Sequence, residues 1–363
     1  MFIIDCNSFF DNAFQRIIVD KYTEIIKIQI NLRYKKMRVL ITGGAGYVGS
    51  LLSRKLISKG YQVRVMDALW YGKQPIDECL AHEDFELVQD DIRNLTSTVR
   101  AMKDVDAVVH LASIVGMPAS SIEPRTSEEI NYLATKNIAE LCQLHGINTY
   151  IFSSTCSVYG SQPNKIITEK SRTQPLDYYS KQKFLSERAI GWLNTAPTIL
   201  RFGTLFGLSP RMRFDLVINL FIAKALQEKE ITVFGGNQFR PFLHVEDAAD
   251  SIIFALEKDL TGTYNVMSEN FTIMDAARKI KELTNCDIKI SNEDEDQRNY
   301  NVSADKIKNI GFQPQKNVEF AYNQIKKSFD DGIIDDYTKK IFNNYELLFS
   351  SKEMQDKVFI QGI

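Results

Sequence analysis

Short apolar runs alternate with longer helix-compatible stretches along most of this 363-residue chain, and the alternation restricts the fold more than any other feature. Segments such as 50–59 and 128–145 have helical patterns. Strands that are apolar along their whole length pack between two layers of helices, so the pattern predicts an α/β, doubly wound fold with a parallel sheet. The runs with the composition of buried strands are RVLITG from Arg38, QVRVMD from Gln62, DAVVHLA from Asp106, TYIFSS from Thr149 and APTILRFG from Ala196.

A glycine-rich segment, TGGAGYVGS, follows the first apolar run directly. Gly43, Gly46 and Gly49 have the spacing G-x-x-G-x-x-G, in which a tight turn lets a pyrophosphate sit at a helix N-terminus. A purely structural glycine turn is the alternative. The next apolar run ends at Asp67, about 20 residues on, where a carboxylate accepts both ribose hydroxyls of NAD and repels the 2′-phosphate of NADP. Together the two features favour NAD binding.

A second candidate site combines YYSKQK, from Tyr178, with FSSTCSVYG, from Phe152. Tyr179 and Lys183 are at positions i and i+4, which places them on one face of a helix. An ammonium and an oxidised nicotinamide nearby would stabilise the phenolate of Tyr179. A surface pair without a catalytic role is the alternative. The segment FSSTCSVYG favours catalysis, because it is a strand that ends in hydroxyl side chains at the carboxyl edge of the sheet.

These motifs together resemble the extended short-chain dehydrogenase/reductase family, in its nucleotide-sugar epimerase and dehydratase branch, from Met37 to about Pro314. TGGAGYVG is similar to the family's cofactor turn, DDIR to its adenine-binding segment and HLAS to its HLAA strand. The resemblance implies a Rossmann-type domain with a smaller C-terminal substrate-binding lobe, and it implies Thr155 as the catalytic Ser/Thr beside Tyr179 and Lys183. The NAD contacts that it implies come from Gly43, Gly46, Tyr47, Val48, Gly49, Asp67, Asp91, Ile92, Leu111, Ala112, Ser153, Tyr179 and Lys183.

The resemblance also implies a nucleotide-diphosphate sugar as substrate. LRFGTLFG resembles the family's LRFGNVYG, with Thr204 in place of asparagine, and RPFLHVEDAA resembles RDFIHVDD and implies Arg240 as a pyrophosphate clamp. QRNYNVSADKIKNIGFQP implies the same role for Arg298, and fixed guanidinium groups suit a diphosphate. SPRMRFDLVIN resembles a segment of sugar-nucleotide enzymes, some of which act on heptose nucleotides. It adds Arg211, Arg213 and Asn219, with structural ion pairs as the alternative for the two arginines.

The two residues after Thr155 bear on the reaction. In this family the tyrosine takes a proton from a sugar hydroxyl, usually on C4, while a hydride passes to NAD and a 4-keto sugar forms. The family's 4,6-dehydratases need an Asp-Glu pair after the Ser/Thr, and its decarboxylases usually carry a glutamate there, whereas this chain has Cys156 and Ser157. We therefore expect an epimerase, and we expect Cys156 to be a small buried residue. Some relatives that epimerise next to the ketone use a cysteine at the position of Ser157.

Four other functions stay open. A 4-dehydrogenase or a 4,6-dehydratase would release a keto sugar. A non-catalytic NAD-binding sensor is disfavoured because such relatives typically lose the Tyr-Lys pair, which Tyr179 and Lys183 provide here. A reductase of steroids or flavonoids would need no arginines for a diphosphate.

The domain boundaries follow from the same pattern. We predict an N-terminal extension at 1–36, in which 26–34 alternates like a half-buried strand. Beyond it, VEDAADSIIFALEK and TIMDAARKIKELT are predicted helices and GTYNVM is a predicted strand. The predicted domains are a Rossmann domain at 37–205 to which 240–267 return, a substrate lobe at 206–239 and 268–330, and a C-terminal tail at 331–363.

Composition disfavours several other kinds of partner and site. With 44 Lys+Arg against 46 Asp+Glu the formal charge is -2, so neither nucleic acid nor a membrane surface is expected as a partner. The five cysteines are scattered and the four histidines lie far apart, so neither a disulfide framework nor a metal site is expected. Without a long apolar stretch or a recognisable signal peptide, a cytoplasmic protein is expected. The family resemblance implies a homodimer through the helix that bears Tyr179 and its neighbour.

Overall fold

The protein was analysed as a computed structural model that describes residues 36–192, 196–291 and 298–349. Its central feature is a sheet of seven parallel strands in the order β11-β7-β5-β4-β1-β2-β3. The strands of this sheet are β1 (Arg38–Thr42), β2 (Gln62–Asp67), β3 (Phe85–Gln89), β4 (Ala107–His110), β5 (Thr149–Thr155), β7 (Thr198–Phe202) and β11 (Gly262–Val266). This order is that of a Rossmann-type sheet, and the prediction of a doubly wound parallel fold is confirmed.

Helices cover both faces of the sheet, as the apolar strands require. Alternate residues of β1 point to opposite faces, so Val39 and Ile41 join one apolar cluster and Leu40 joins another. The α-helices are α1 (Tyr47–Ser58), α2 (Asp77–Leu80), α3 (Leu95–Ala101), α4 (Met117–Ile122), α5 (Pro124–Glu128), α6 (Ala134–Leu144), α7 (Tyr178–Ile190), α8 (Val217–Gln227), α9 (Val245–Glu257), α10 (Ile273–Thr284), α11 (Asp305–Asn309), α12 (Val318–Asp330) and α13 (Asn344–Phe349). A π-helical turn, 129–133, precedes α6.

Smaller sheets build the region that covers the carboxyl edge of the central sheet. The order β8-β10-β12 forms a three-stranded sheet, while β13 pairs with β9 and β14 with β6. These strands are β6 (Ile166–Ile167), β8 (Thr204–Phe206), β9 (Glu230–Phe234), β10 (Phe239–His244), β12 (Glu269–Thr272), β13 (Asp287–Ser291) and β14 (Asn301–Val302). A third apolar cluster, which includes Phe221, Phe242 and Ile280, lies between these strands and α8, α10 and α12.

Within the segment 240–267, predicted to return to the Rossmann domain, the parts differ in what they pair with. The segment 240–267 was expected to belong to the Rossmann domain, but β10 pairs with β8 and β12 rather than with a central strand. The return occurs through α9, which packs on α1, and through β11, which pairs with β7. The predicted helices at 245–258 and 272–284 and the predicted strand at 262–267 are present.

The structure describes more of the predicted C-terminal tail than of the predicted N-terminal extension. The extension 1–36, with its alternating segment, lies outside the described residues except for its last position. Part of the predicted tail is described, and it packs on the protein: Ile334 and Tyr337 join the third apolar cluster and Leu348 joins the second. In the described part of the chain, no helix combines the length and apolar character needed to cross a membrane.

Candidate active site

A cleft of about 1450 Å³ lies along the carboxyl edge of the central sheet, under the smaller sheets. It brings together residues that are far apart in the sequence, from the glycine turn to the region near residue 345. The predicted site residues that line it are Gly43, Gly46, Tyr47, Val48, Gly49, Asp67, Asp91, Ile92, Leu111, Ala112, Ser153, Thr155, Tyr179, Lys183, Thr204, Arg211, Arg213, Arg240 and Arg298. Asn219 is the one predicted site residue that does not line the cleft.

The glycine turn is packed too tightly for side chains. Gly43 has a φ of +73°, and a Cβ added there would lie 2.7 Å from the backbone nitrogen of Ala112. A Cβ on Gly49 would lie 2.2 Å from the carbonyl oxygen of Gly43, so helix α1 starts directly against the turn. Gly46 is the N-cap of α1 and offers no side chain to its amides. The free N–H groups at this helix end could therefore hold a pyrophosphate.

Asp67 ends β2 beside this turn. Its carboxylate accepts one hydrogen bond from the backbone N–H of Ala45 at 2.9 Å and one from Leu69 at 2.8 Å. Burial raises the pKa of Asp67, although both backbone hydrogen bonds oppose the shift. The two amides fix the orientation of the carboxylate, and its remaining lone pairs could accept ribose hydroxyls of NAD.

Asp91 and Ile92 lie at the adjacent end of β3. The Asp91 carboxylate is paired with Arg93, whose Nη2 lies 2.8 Å from Oδ2, and it also accepts the backbone N–H of Arg93 at 2.8 Å. Both residues are buried and line the cleft. Leu111 and Ala112 follow β4, on the other side of β1 from Asp91, and line the cleft directly against the glycine turn.

Tyr179 and Lys183 lie on the first turns of α7. The helix begins with a capping box, in which the Asp177 carboxylate accepts the backbone N–H of Ser180 at 2.7 Å. Lys183 is buried, and its Nζ donates to the carbonyl oxygen of Ser153 at 2.9 Å and lies 5.9 Å from the centre of the Tyr179 ring. The predicted i, i+4 pair is thus fixed against the end of β5.

A buried ion pair holds the far side of α7 against the sheet. Glu187 forms a two-point pair with Arg201 of β7, at 2.9 Å and 2.5 Å, and accepts the hydroxyl of Ser154. Arg201 also donates to the Tyr159 hydroxyl at 2.7 Å. Because two-point pairs restrict orientation, this network sets the height of α7 above the sheet edge.

Thr155 is the last residue of β5. Its hydroxyl oxygen accepts the backbone N–H of Ser157 at 3.1 Å, which caps the short 3₁₀ turn that follows. Its own O–H group is free to donate, and the residue lines the cleft together with Tyr179. The arrangement can bind a substrate oxygen through Thr155 while Tyr179 exchanges a proton with it.

Burial dominates the electrostatics of the tyrosine and the lysine. It raises the pKa of Tyr179 well above its usual value; Asp177 adds to this rise, whereas Arg213 and Arg298 oppose it. Burial lowers the pKa of Lys183 to about 7, and Glu187 opposes this shift. A Tyr179 phenolate therefore requires additional positive charge next to the ring.

The two residues after Thr155 are oriented differently. The Cys156 thiol donates to the carbonyl oxygen of Arg201 at 3.2 Å inside the core, and burial raises its pKa. Ser157 lines the cleft, and its hydroxyl lies 3.3 Å from the hydroxyl of Tyr300. The expectation that Cys156 is a small buried residue is confirmed.

Arg240 and Arg298 form one cationic wall of the cleft. The guanidinium of Arg240 donates to the carbonyl oxygens of Phe239 and Arg298 and lies 5.6 Å from the centre of the Tyr300 ring. Nη1 of Arg298 lies 3.7 Å from Oδ2 of Asp177, near the start of α7. Thr204, at the start of β8, lies opposite Phe242 of β10 and also borders the cleft.

Arg211 and Arg213 belong to a second cationic cluster. Arg213 forms a two-point ion pair with Asp215, at 2.9 Å and 2.7 Å. Arg211 is 4% exposed, and its guanidinium lies 4.3 Å from the centre of the Tyr71 ring. Asn219 is fully buried beneath this cluster.

The Asn219 side chain has a bonding role within the protein. Its Oδ1 accepts the backbone N–H of Gly207 at 2.8 Å, and its Nδ2 donates to the Tyr47 hydroxyl at 3.0 Å and to the carbonyl oxygen of Arg213 at 2.8 Å. Because the amide is occupied and lies outside the cleft, the structure does not bring Asn219 to the substrate region as the sequence analysis expected.

The structure also places unexpected residues in the cleft. Tyr71 follows β2, and Asn343, Asn344 and Tyr345 belong to the segment predicted as a tail. The backbone N–H of Phe214 donates to the carbonyl oxygen of Phe342 at 2.9 Å, so the tail is bound to the second cationic cluster. Only the aromatic and amide composition near residue 345 could have suggested a binding role.

Comparison with known proteins agrees with the geometry. A family model described as the NAD dependent epimerase/dehydratase family matches residues 39–266. The UDP-N-acetyl-alpha-D-glucosaminuronate decarboxylase of Bacillus cytotoxicus is 32% identical over 70% of this chain and 83% of that protein. The UDP-glucuronic acid decarboxylase 1 of Xenopus tropicalis is 29% identical over 68% of this chain, which spans only 60% of that protein.

A solved structure extends the likeness to the fold. The UDP-N-acetylglucosamine 4-epimerase of Methanobrevibacter ruminantium M1, in complex with UDP-N-acetylmuramic acid, is 27% identical to this chain, with a TM-score of 0.75. The match covers 82% of this chain and 99% of that structure. The family model alone spans more than half of the chain, and it coincides with the glycine turn, the Tyr-Lys pair and the seven-stranded sheet. The chain therefore belongs to the NAD-dependent epimerase/dehydratase family, the nucleotide-sugar branch of the extended short-chain dehydrogenases/reductases, and its cofactor is NAD.

Proposed function

We propose that this enzyme is a nucleotide-sugar epimerase that works through a transient 4-keto sugar. One observation carries the proposal: the cleft joins Tyr179 and Thr155 to a dinucleotide turn, while neither residue after Thr155 offers a carboxyl group. Cys156 directs its thiol into the core, and the Ser157 hydroxyl is engaged by Tyr300. Oxidation at C4 is thus supported, whereas elimination of water lacks an evident acid and base.

Tyr179 is the proposed base. It accepts the proton of the C4 hydroxyl and returns it when the ketone is reduced, and Thr155 donates a hydrogen bond to the same oxygen. Bound NAD would supply the hydride chemistry, as acceptor of the C4 hydride and as donor to the other face of the ketone, held beside Tyr179 by the residues of the cofactor half. Because burial raises the pKa of Tyr179, proton transfer depends on positive charge beside the ring, which Lys183, Arg213 and Arg298 supply in part.

The cofactor contacts follow from the first half of the cleft. We propose that the backbone amides of Tyr47 and Val48, next to Gly46 at the helix N-terminus, hold the pyrophosphate, that Asp67 accepts ribose hydroxyls, and that Asp91 and Ile92 border the adenine. Lys183 and Ser153 then lie beside the nicotinamide end, next to Tyr179. The Asp67 carboxylate, held by two backbone amides, supports NAD over NADP, because a 2′-phosphate would meet a negative charge there.

Arg240 and Arg298 are the proposed clamp for the substrate diphosphate. Both line the cleft on the side of β10, the Arg240 guanidinium donates to the backbone carbonyl oxygen of Arg298, and both arginines act electrostatically on Tyr300. Two adjacent cations match the two negative charges of a nucleotide diphosphate, and planar guanidinium groups bind phosphate oxygens at two points. Thr204 and Arg213 border the space between this clamp and Tyr179 and are proposed to contact the sugar.

The test is an assay of product identity. Pure protein with NAD is incubated with UDP-, GDP-, dTDP- and CDP-sugars, and product masses are followed, with NMR for isomers of unchanged mass. An isomer of equal mass is the expected product. Loss of water would show a dehydratase, loss of two hydrogens with NADH accumulation a 4-dehydrogenase, and loss of carbon dioxide from a glycuronic acid a decarboxylase. Each of these would replace the epimerase proposal, and absence of any conversion or nucleotide-sugar binding would favour a sensor.

We also propose that the enzyme is a homodimer through α6 and α7. These helices pack against each other, and large apolar side chains remain exposed on or beside them: Leu144 is 80% exposed and Leu185 is 44% exposed. Light scattering after size exclusion should give twice the mass of the chain. Leu185→Arg should shift the protein to the monomer, and a wild-type monomer would contradict the proposal.

A further inference from the structure

The turn proposed to hold the cofactor pyrophosphate contains no cationic side chain. TGGAGYVGS has neither lysine nor arginine, and the only basic residue in the last turn of α1, Lys55, lies at the opposite end of the helix. Backbone amides and the helix dipole supply about half a positive charge, whereas a pyrophosphate carries about two negative charges. A cation from elsewhere in the chain would complete such a site.

The segment 207–215 lies directly against this helix end. The Tyr47 hydroxyl donates to the carbonyl oxygen of Gly207 at 2.5 Å, and the Ser209 hydroxyl donates to the carbonyl oxygen of Tyr47 at 2.6 Å. The hydroxyls of Ser50 and Ser209 are 3.2 Å apart. Although the segment was predicted in the substrate lobe, its hydrogen bonds therefore fix it to the cofactor half.

Arg211 and Arg213 of this segment differ in whether a carboxylate offsets the charge of the guanidinium. The charge of Arg213 is offset by its two-point pair with Asp215. Arg211 has no ion pair within 4.0 Å among the described residues, and its Nε and Nη2 have no hydrogen-bond partner, although Nη1 donates to the carbonyl oxygen of Met212 at 3.0 Å. Burial lowers the pKa of Arg211 to about 10. A buried guanidinium with unsatisfied N–H groups is costly, and an anion would remove that cost.

The aromatic neighbours of Arg211 belong to the cofactor half. Its guanidinium stacks over Tyr71, four residues after Asp67, and Tyr47 of the turn also lies within its electrostatic range. The Arg240 and Arg298 pair stands with Tyr300 in a separate cluster. We infer that Arg211 binds the pyrophosphate of NAD, and not the diphosphate of the sugar nucleotide with which the sequence analysis grouped it.

With Arg211 on the pyrophosphate, a residue of the predicted substrate lobe helps to retain the cofactor. A residue after β8 would contribute the charge that the glycine turn lacks, and Tyr71 would hold its guanidinium in place by stacking. It depends on NAD as cofactor and not on which sugar reaction the enzyme performs, so it stands or falls independently of the epimerase proposal.

The test compares Arg211→Gln with Arg240→Gln in the full-length chain. Isothermal titration with ADP-ribose reports the cofactor pyrophosphate site, titration with UDP reports the substrate site, and NAD per chain is measured in acid extracts of the purified protein. Arg211→Gln should weaken ADP-ribose binding at least tenfold, lower the NAD content and leave the dissociation constant of UDP within about twofold. Arg240→Gln should show the opposite pattern.

Arg211→Lys keeps the charge without the stacking plane, so it should weaken ADP-ribose binding less than Arg211→Gln does. It also replaces the glutamine variant if that variant does not fold, and unchanged UDP binding then serves as the check on folding. Loss of UDP affinity with intact ADP-ribose affinity would assign Arg211 to the substrate and overturn the inference. Loss of both affinities, or of neither, would also overturn it, because the residue would then act on the whole cleft or on no ligand.

Discussion

The two halves of the cleft are built from different parts of the chain. On the cofactor side, the ends of the neighbouring strands β4, β1 and β2 lie close together. The backbone N–H of Gly43 donates to the carbonyl oxygen of Met66 at 2.9 Å, and a Cβ added to Gly43 would lie 2.7 Å from the Ala112 nitrogen. On the substrate side, Arg213, Arg240 and Arg298 come from separate segments, and their positions depend on aromatic stacking and ion pairs. A ligand that is held by backbone atoms in a closely packed turn restricts the residue types of that turn. A ligand that is held by side chains can be bound by residues from different segments of the chain.

This difference explains why relatives share the cofactor and differ in their reactions. The glycine turn, the proposed pyrophosphate site, is packed too closely to admit side chains at Gly43 and Gly49, whereas the proposed substrate contacts are side chains on separate segments. Tyr179, the proposed base, lies between the two halves. Replacement of Tyr179 should therefore distinguish catalysis from cofactor binding most clearly.

Tyr179→Phe should cause the largest effect. Removing the hydroxyl leaves no group to accept the substrate proton, so we expect kcat to fall at least 10³-fold, or about 4 kcal/mol in activation free energy. NADH affinity, measured by fluorescence titration, should change less than about threefold. The control is Tyr178→Phe, whose hydroxyl donates to the carbonyl oxygen of Pro124 at 3.1 Å; it should keep most activity. Equal losses in the two variants would remove Tyr179 from its role.

Gly43→Ala should cause the next largest effect, and on the cofactor half. Both the positive φ and the 2.7 Å approach to Ala112 oppose a side chain, so we expect a loss of about 3 kcal/mol in unfolding free energy and at least tenfold weaker NADH binding. Gly60→Ala is a matched control, because Gly60 has a φ of +86° and no atom within 4 Å of an added Cβ. It should cost about 1 kcal/mol and leave NADH binding unchanged. If Gly60→Ala were equally disruptive, backbone conformation and not close packing would be the constraint.

Lys183→Met should separate activity from stability. The pKa of Lys183 is lowered from 10.5 to about 7 by burial, so the unfolded chain binds its proton more readily between those values. The penalty on folding is therefore complete below pH 7 and disappears as the pH rises toward 10.5. We expect Lys183→Met to be inactive and, at pH 7, more stable by about 2 kcal/mol, since the lost hydrogen bond to Ser153 offsets part of the gain.

The measurement is urea unfolding at pH 7 and pH 9.5, with Lys181→Met as the control on the same helix. Lys181 is exposed, so its variant should show little difference from wild type at either pH. The stability gap between Lys183→Met and wild type should narrow at the higher pH. A gap that widens with pH would mean that the lysine is stabilised in its charged form.

Much of the fold and of the cofactor half could be predicted because the signals are local. Apolar runs of six to eight residues identified β1, β2, β4, β5 and β7, and the positions of Gly43, Gly46 and Asp67 followed from spacing alone. The pairing of β10 with β8 and β12 was not predictable in this way, since its strand is as apolar as a central one and register depends on distant partners.

The substrate half was less predictable for the same reason. Asn219 carries the right chemistry for a ligand, yet its amide is occupied by Gly207, Tyr47 and Arg213, which only the folded chain brings together. Tyr345 reaches the cleft because the segment before it binds to Phe214, a contact with no trace in the local pattern. Residue type indicated the chemistry of this half, and tertiary contacts decided which residues remain available.

Cys156→Ala should have the smallest effect on turnover. The thiol is 1% exposed and donates into the core, so its loss should cost about 1 kcal/mol of stability while kcat stays within about twofold of wild type. Thr155→Val, one residue earlier, should lower kcat about 100-fold because a hydrogen bond to the reacting oxygen is lost. Steady-state assays of both variants measure kcat and show which of the two residues takes part in the reaction and which only packs in the core. A strong loss in Cys156→Ala would mean that the thiol turns into the cleft when substrate binds, and would make it an acid or base of the epimerisation.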